Sequence, residues 1–452
     1  MAVCAALWCA VEYAAPDVRI FAADTPVANL LYEASGVTRT DAAEALKKTA
    51  LSLYDAYALA VVRTETLAIQ GEGVVQAEAK KRQALGAFLP KVYLRAAKAL
   101  PDNSDNPPSS TSTGVNLYAR QPITTGLQEW SQLKAASSEI KTARYRLANG
   151  AGLLLLDVAS SYYRVLHIEK SLENSMQILD HYKQILIELN RRVAVGKSRR
   201  SEVLRTNTEM YKVEASVKAL QDDLSRSRLD FAFVTGALPG SRLGGPDMLP
   251  DALIKQENIK ALAAGRWDVK AASEEVEAAK SRLCAAWGGH LPSLYLEGTY
   301  RIYQEHRAGR DYYGAIGAEL PLFGGGIPAA QVKVAESLKR QAELTMEQTL
   351  RAAGKDIAAA LQRWEFSGRE VEAYRKALRS AEENYRVTSD EYRMNLVTIL
   401  DVLTSLNLMQ SAKDDYEGAV LQHALDRLLL GVAVNELPGK GTAMLKNVSV
   451  EK

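Results

Sequence analysis

Two periods alternate along this chain. Apolar and small residues recur at Val165, Ile168, Leu172, Ser175, Leu179, Tyr182, Leu186, Leu189 and Val193, a spacing of three then four. The same spacing returns at Trp364, Ser367, Val371, Tyr374, Leu378, Ala381, Tyr385, Thr388 and Tyr392, each position 199 beyond its counterpart (165 and 364, 193 and 392). A strict seven-residue repeat under-winds a helix and imposes left-handed supercoiling, so the pattern predicts duplicated coiled-coil segments. A second heptad runs Met210, Val213, Val217, Leu220, Leu224, Ser227, Phe231, Val234. Its counterpart starts at Met409, Ala412, Tyr416 and Ala419 and is expected to slip later, because Gly236 and Gly431 differ by only 195 (236 and 431).

Between paired heptads stand Gly196 and Asn395, the residue types that most readily adopt the left-handed conformation ending a helix. Ser198 or Ser201 is expected to cap the following helix, with Glu202 near its positive end. No proline falls in 123–238 or 329–437, and since proline costs ~3 kcal/mol inside a helix, both stretches read as long helices. A segment from Leu127 to Val195 would extend roughly 100 Å.

Ahead of each helical stretch the period changes to two. Val92, Leu94 and Ala96 alternate after Leu89-Pro90, and Val115, Leu117 and Ala119 before Pro122. In the second half Leu294, Leu296, Tyr300 and Ile302 alternate after Leu291-Pro292, then Tyr312, Gly314, Ile316, Ala318 and Leu320 before Pro321. Each half therefore has two strands of about ten residues, the length a tilted strand needs to cross a bilayer. Soluble half-buried hairpins would read alike. Two isolated hairpins, however, are marginal in water, open edges do not occur in lipid, and several chains giving four strands each could close a barrel.

The predicted organisation is a leader at 1–40 and a first repeat at 41–236 with a helix, a hairpin at 89–122 and long helices at 127–235. A linker follows at 237–260. The second repeat occupies 261–435, with a helix, a hairpin at 291–321 and long helices at 327–431, and a tail closes the chain at 436–452.

Composition removes other functions. Lysine plus arginine (56) nearly cancel aspartate plus glutamate (54), so no nucleic-acid partner is indicated. Cys4, Cys9 and Cys284 build neither a disulfide framework nor a zinc spacing, and five scattered histidines offer no paired ligands. No cofactor, metal or catalytic centre is expected. The apolar "AVCAALWCAV" has the size of a signal-peptide core but lacks a preceding Lys or Arg, and Trp8 precedes Cys9 where a lipoprotein site wants a small residue. The triple glycine of "ELPLFGGGIPAAQ" lacks the Gly-Lys-Ser/Thr ending of a phosphate loop.

That stretch is similar to the Pro-Leu-Phe-x-Gly-Gly signature of the TolC-like outer-membrane efflux family. "GRWDVKAASEEVEAAKSRL", "LPSLYLEGTY", "NLVTILDVL" and the duplicated order of elements over residues 41–435 resemble it too. The resemblance implies an internally duplicated, mixed α and β membrane protein: a homotrimer in the bacterial outer membrane whose four strands per protomer close a twelve-stranded β-barrel, continuous with a coiled-coil α-helical barrel in the periplasm. It implies an exit duct for an inner-membrane pump or ABC-type secretion transporter, joined through a periplasmic adaptor (membrane fusion) protein and surrounded by outer-membrane lipid, with no catalysis. The alternative is a periplasmic coiled-coil adaptor or scaffold without a channel.

By the same resemblance Asp401 falls at an inward-facing carboxylate of the periplasmic entrance, where a ring of three would favour cations and raise its own pKa by mutual repulsion. The plainer reading is a helix-start carboxylate acting on the dipole. Glu202 is the matching position (202 and 401), with a solvated charge as its plainer reading, Thr404 stands where some relatives carry a second acid, and Tyr392 matches a gate tyrosine or is only a seam residue. Val397 replaces a basic gate residue. The turns carrying Gly196, Lys197, Ser198 and Asn395, Leu396, Val397 are the expected adaptor-docking points. Pro122 and Gly126, and Pro321 with Gly324, Gly325 and Gly326, are the expected strand-to-helix joints, where proline ends ladder pairing and glycine lets the backbone swing.

Overall fold

The structure, a computed structural model of the chain, describes residues 26–99, 112–245, 258–304 and 311–436. The apolar N-terminal stretch with Cys4 and Cys9, residues 100–111 and 305–310 inside the two expected hairpins, residues 246–257 of the expected linker and the tail from 437 lie outside them. The described residues fall into two compact units, one within 72–149 and 260–355, the other within 1–71, 150–259 and 356–452.

The first of these holds the sheet. α4 (Glu65–Gly86) leads to β2 (Lys91–Ala99) and β3 (Ser112–Thr125), and α8 (Trp267–Gly288) leads to β5 (Ser293–Gln304) and β6 (Tyr312–Glu319). The four strands are antiparallel in the order β2-β3-β5-β6. Register sorts the side chains cleanly, because opposed residues share a face. Leu94 opposes Leu117, Leu117 opposes Tyr300, and Leu296 opposes Ile316, which makes one face apolar. The opposite face carries Arg95, Tyr118, Arg120, Tyr295 and Glu297. There the Arg95 guanidinium lies 4.6 Å from the Tyr118 ring centre, and that of Arg120 lies 3.9 Å from Tyr295.

Pro122 was expected to end its strand. Instead β3 continues to Thr125, and the missing proline N–H is absorbed by a register shift between Pro122 and Thr124. The chain then turns through Gly126 and Leu127, both with positive φ (69° and 64°). The second turn uses Gly325 and Gly326 in the same way (60° and 80°).

The other unit contains α1 (Pro26–Ser35), α2 (Arg39–Ala45), β1 (Ala50–Leu51) and α3 (Leu53–Arg63). Residues 26–40, expected as leader, are therefore folded: Val27 and Leu31 are buried, and Val27 packs on Gly71. β4 (Arg242–Leu243), in the expected linker, pairs in parallel with β1. The buried Tyr162 hydroxyl lies 3.1 Å from the Leu51 carbonyl and 2.9 Å from that of Gly244, tying the two short strands together. α7 (Ile259–Gly265) precedes α8.

The long helices are α5 (Gln128–Ala194) and α9 (Ile327–Arg393), which contribute residues to both units, and α6 (Arg200–Thr235) and α10 (Ile399–Ala433). The expected slip in the second heptad does not occur. Gly236 ends α6 in the left-handed conformation (φ 66°), and its partner in position and conformation is Asn435 (φ 64°), again 199 away (236 and 435). Gly431 lies inside α10.

Candidate functional site

The two turns between paired long helices have one construction. The amide of Gly196 donates to the Val193 carbonyl (3.0 Å) and that of Lys197 to Arg192 (2.8 Å); Asn395 donates to Tyr392 (3.0 Å) and Leu396 to Glu391 (2.9 Å). The second bond of each pair spans six residues and satisfies a carbonyl the ending helix would leave open. Gly196 (φ 72°) and Asn395 (φ 56°) supply the left-handed residue. Among the turn residues Val195, Lys197, Met394, Leu396 and Thr398 are exposed, while Ser198 and Val397 are half-buried.

The helices that follow start differently. α10 begins with a capping box: the Thr398 hydroxyl (2.6 Å) and backbone amide (2.9 Å) both donate to the Asp401 carboxylate. α6 is preceded by Arg199 at its cap, whose side chain makes no capping bond. Neither Ser198 nor Ser201 caps it as expected. The Ser198 hydroxyl instead donates to the Glu202 carboxylate.

Arg192 joins the two turns. Its Nε donates to Glu188 (3.2 Å), its Nη1 donates to Asn395 Oδ1 (3.3 Å), and its guanidinium lies 4.6 Å from the Tyr392 ring centre. Burial pushes the Tyr392 hydroxyl up from its ordinary pKa, with Glu202 adding to the rise and Arg192 and a hydrogen bond with Ser198 opposing it. Tyr392 thus gathers Glu202, Ser198 and Arg192, and Arg192, which no spacing rule indicates, adds Asn395. Asp401 is apart from them, exposed on the first turn of α10. The Thr398 hydroxyl, and then its backbone amide, hold the Asp401 carboxyl below the usual range. Thr404 is exposed, and its hydroxyl donates back to the Leu400 carbonyl (2.8 Å).

Beneath the turns α5 and α10 share a packed core of Ile178, Tyr182, Leu189, Ile399, Val402, Leu403 and Leu406, with Tyr385 and Tyr392 against it. Tyr182 donates to Asn407 (2.9 Å). Further along the same pair, Asn174 donates to both Asp414 (2.9 Å) and Glu417 (2.8 Å). Burial holds Asp414 above the usual carboxylate range, against the Asn174 bond. The heptad reading missed this polar bridge because Asn174 lies beside, not on, the seam positions. Among the described residues no group of three or more His, Cys, Asp or Glu side chains is placed to hold a metal ion, and no helix is long and apolar enough to cross a membrane.

A duplicated chain of helix, strand pair, long helix, tight turn and helix, with one bare apolar sheet face, defines a mixed α and β membrane protein. The profile of the family described as "Outer membrane efflux protein" matches residues 57–237 and 256–431, and the chain belongs to that family of outer-membrane channels. It is similar to outer membrane protein TolC of Vibrio cholerae, 26% identical over 400 residues that cover 82% of this chain and 87% of that one. Outer membrane protein TolC of Escherichia coli is 21% identical over 363 residues, 75% of this chain and 72% of that protein. Among solved structures, VceC of Vibrio cholerae superposes with a TM-score of 0.75 at 20% identity, covering 85% of this chain and 96% of its own. The CmeC outer membrane channel of Campylobacter jejuni superposes with a TM-score of 0.76 at 15% identity over 85% and 86%. The protein is therefore an efflux channel of the outer membrane, and the adaptor or scaffold alternative falls with that assignment.

Proposed function

We propose that three copies of this chain close a single duct, the outer-membrane exit of a tripartite pump or type I secretion system. The observation that carries the reading is the β2-β3-β5-β6 sheet. Its apolar face, with Leu94, Tyr300 and Ile316 all more than half exposed, is covered by nothing among the described residues, where β2 and β6 each have one unpaired edge. An apolar face wants lipid, and unpaired edges in lipid want neighbouring strands. Three copies supply twelve strands and leave no edge. The Arg and Tyr face then lines a polar lumen.

The turns at Gly196, Lys197, Ser198 and at Asn395, Leu396, Val397 are the docking points for a periplasmic adaptor, through which an inner-membrane pump or ABC transporter connects. Val195, Met394 and Leu396 offer it exposed apolar contacts. Asp401, Tyr392, Glu202 and Thr404 form the constriction, where passage depends on charge and on the Arg192 contacts. No step is chemical. Cargo moves passively outward.

Recording single channels in planar bilayers tests the reading. The wild-type protein should conduct with a preference for cations. Asp401→Ala should lower that preference and weaken block by divalent cations, whereas unchanged selectivity would place Asp401 off the lumen. Recovery of the wild-type chain as a water-soluble monomer from the periplasm would overturn the duct itself.

A further inference from the structure

The polar face of the sheet is unevenly charged. The strands β2 and β3 contain Lys91, Arg95, Lys98 and Arg120 and no carboxylate. By alternation Lys98 shares the face of Leu94, and the other three share the polar face. There Lys91 stands directly opposite Arg120, at the end of the sheet where β2 begins and β3 runs down to its last residues. Side chains so opposed have their Cβ atoms only about 4.5–5.5 Å apart, and like charges at that distance destabilise a sheet. The second hairpin shows that the architecture does not require such a pair. Ser293 opens β5 as Lys91 opens β2, and it opposes Glu319. The fifth residue of β5 is Glu297, where the fifth of β2 is Arg95. The first hairpin is therefore basic at the places where the second is neutral or acidic.

Among the described residues no carboxylate forms an ion pair with Lys91, Arg95 or Arg120. Glu297 opposes Arg120 on its other side, but its carboxylate accepts from the Tyr118 hydroxyl (3.3 Å). Arg120 lies over Tyr295 instead (3.9 Å), and Arg95 lies over Tyr118 (4.6 Å), which stacks on Tyr93 with ring centres 6.4 Å apart and planes at 27°. Tyr118 stands one pair nearer to Lys91 and Arg120 than the Arg95 backbone does, so Arg95 leans toward them. A guanidinium over a ring face is held by a contact that uses none of its N–H groups. Its donors stay available to an oxyanion, whose geometry their fork matches.

We propose that Lys91, Arg120 and Arg95, with the rings of Tyr93, Tyr118 and Tyr295 among them, form a binding site for organic anions that carry two or more carboxylate, sulfonate or phosphate groups on a planar apolar body. One oxyanion seats between Lys91 and Arg120 and removes their repulsion. A second reaches Arg95, and the tyrosines, of which Tyr93 is 47% exposed, offer ring surface to the body between. In the duct this face lines the lumen, so the site names a class of cargo and rests on that reading.

Pyranine, a fluorescent aromatic trisulfonate, tests the site through its fluorescence anisotropy with the full chain in neutral detergent. The wild-type protein should give a saturable rise that weakens with salt. Lys91→Gln and Arg120→Gln should each weaken binding about tenfold, the loss of one hydrogen bond to a charged group. Arg120→Lys, which keeps the charge and loses the fork, should fall between. Lys98→Gln, on the other face of the same hairpin, should leave binding unchanged. Lys91 is exposed at the first residue of β2, so its variant is the one least able to disturb folding, and unchanged binding there overturns the site. Equal weakening by Lys98→Gln, or no binding by the wild-type chain, overturns it as well. Benzene-1,3,5-tricarboxylate should displace pyranine at lower concentration than citrate, which has the same charge and no ring; equal potency overturns the share given to the tyrosines. Planar bilayers separate the site from the duct. Wild-type channels should be blocked by dextran sulfate, and channels of the Lys91→Gln, Arg120→Gln double variant much less. Conducting channels with equal block in both proteins overturn the site and leave the duct standing, whereas pyranine binding by a protein that never conducts overturns the duct and leaves the site.

Discussion

At the scale of single residues, the paired turns depend on Arg192, which contacts Glu188, Tyr392 and Asn395 together. A cation held over an aromatic ring contributes about 0.5–2 kcal/mol, and the hydrogen bond to Asn395 adds to it. Arg192→Ala should therefore loosen the paired turns more than Tyr392→Phe, which loses a hydroxyl but keeps the ring; on the proposed reading of these turns as the entrance, larger or more frequent openings in bilayer recordings should rank in that order. Asp414 has a pH signature. Its carboxyl is held above the usual range by burial, so the folded chain binds that proton more tightly than the unfolded chain. This contribution to stability falls as pH rises from the unfolded value through the folded one. Asp414→Asn should raise the thermal midpoint at pH 7, and the gain should vanish in melts below about pH 3, where both forms are protonated. Gly196 and Asn395 were legible because left-handed backbone is a local preference. Arg192 was not, because its partner Tyr392 is distant in sequence and the contact has no spacing signature.

At the scale of elements, the heptads ended at Val193 and Tyr392, one residue short of the last residues of α5 and α9, since a seven-residue apolar period can be satisfied only by a helix buried along one stripe. Strand ends were less legible. Pro122 looked like a terminator because it cannot donate to a ladder, yet a bulge accommodates it and β3 runs on to Thr125. The two-residue strands β1 and β4 left no periodic trace at all, being too short to show alternation, and Gly431 misled because glycine marks helix ends without owning them. The seam under the turns makes a direct prediction. Leu406 is fully buried and Leu408, two residues on, is 54% exposed. Leu406→Ala should cost about 3 kcal/mol through lost burial and the cavity left behind. Leu408→Ala in the isolated chain should cost far less; equal losses in denaturant titrations would contradict the packing of α10 on α5.

At the scale of the whole molecule, the sheet decides where the protein resides, through faces rather than through any long apolar run. Alternation was legible in sequence, but an alternating strand is equally at home over a soluble core, and only the register shows that Leu94, Leu117, Tyr300 and Ile316 share one side. The two faces should therefore respond oppositely to the same charge. A lysine on the lipid side of a barrel costs about 2–4 kcal/mol near the bilayer midplane and little at its edges, while lumen positions are hydrated. Leu94→Lys should reduce the amount of trimer recovered from outer membranes, with the shortfall appearing as misassembled chain. Thr299 opposes Tyr118 on the other face, and Thr299→Lys should assemble normally and shift conductance toward anions. Membrane fractionation and bilayer recording read the two outcomes separately. If Thr299→Lys blocked assembly and Leu94→Lys only changed selectivity, the sheet would be facing the other way, with its tyrosines and arginines in lipid.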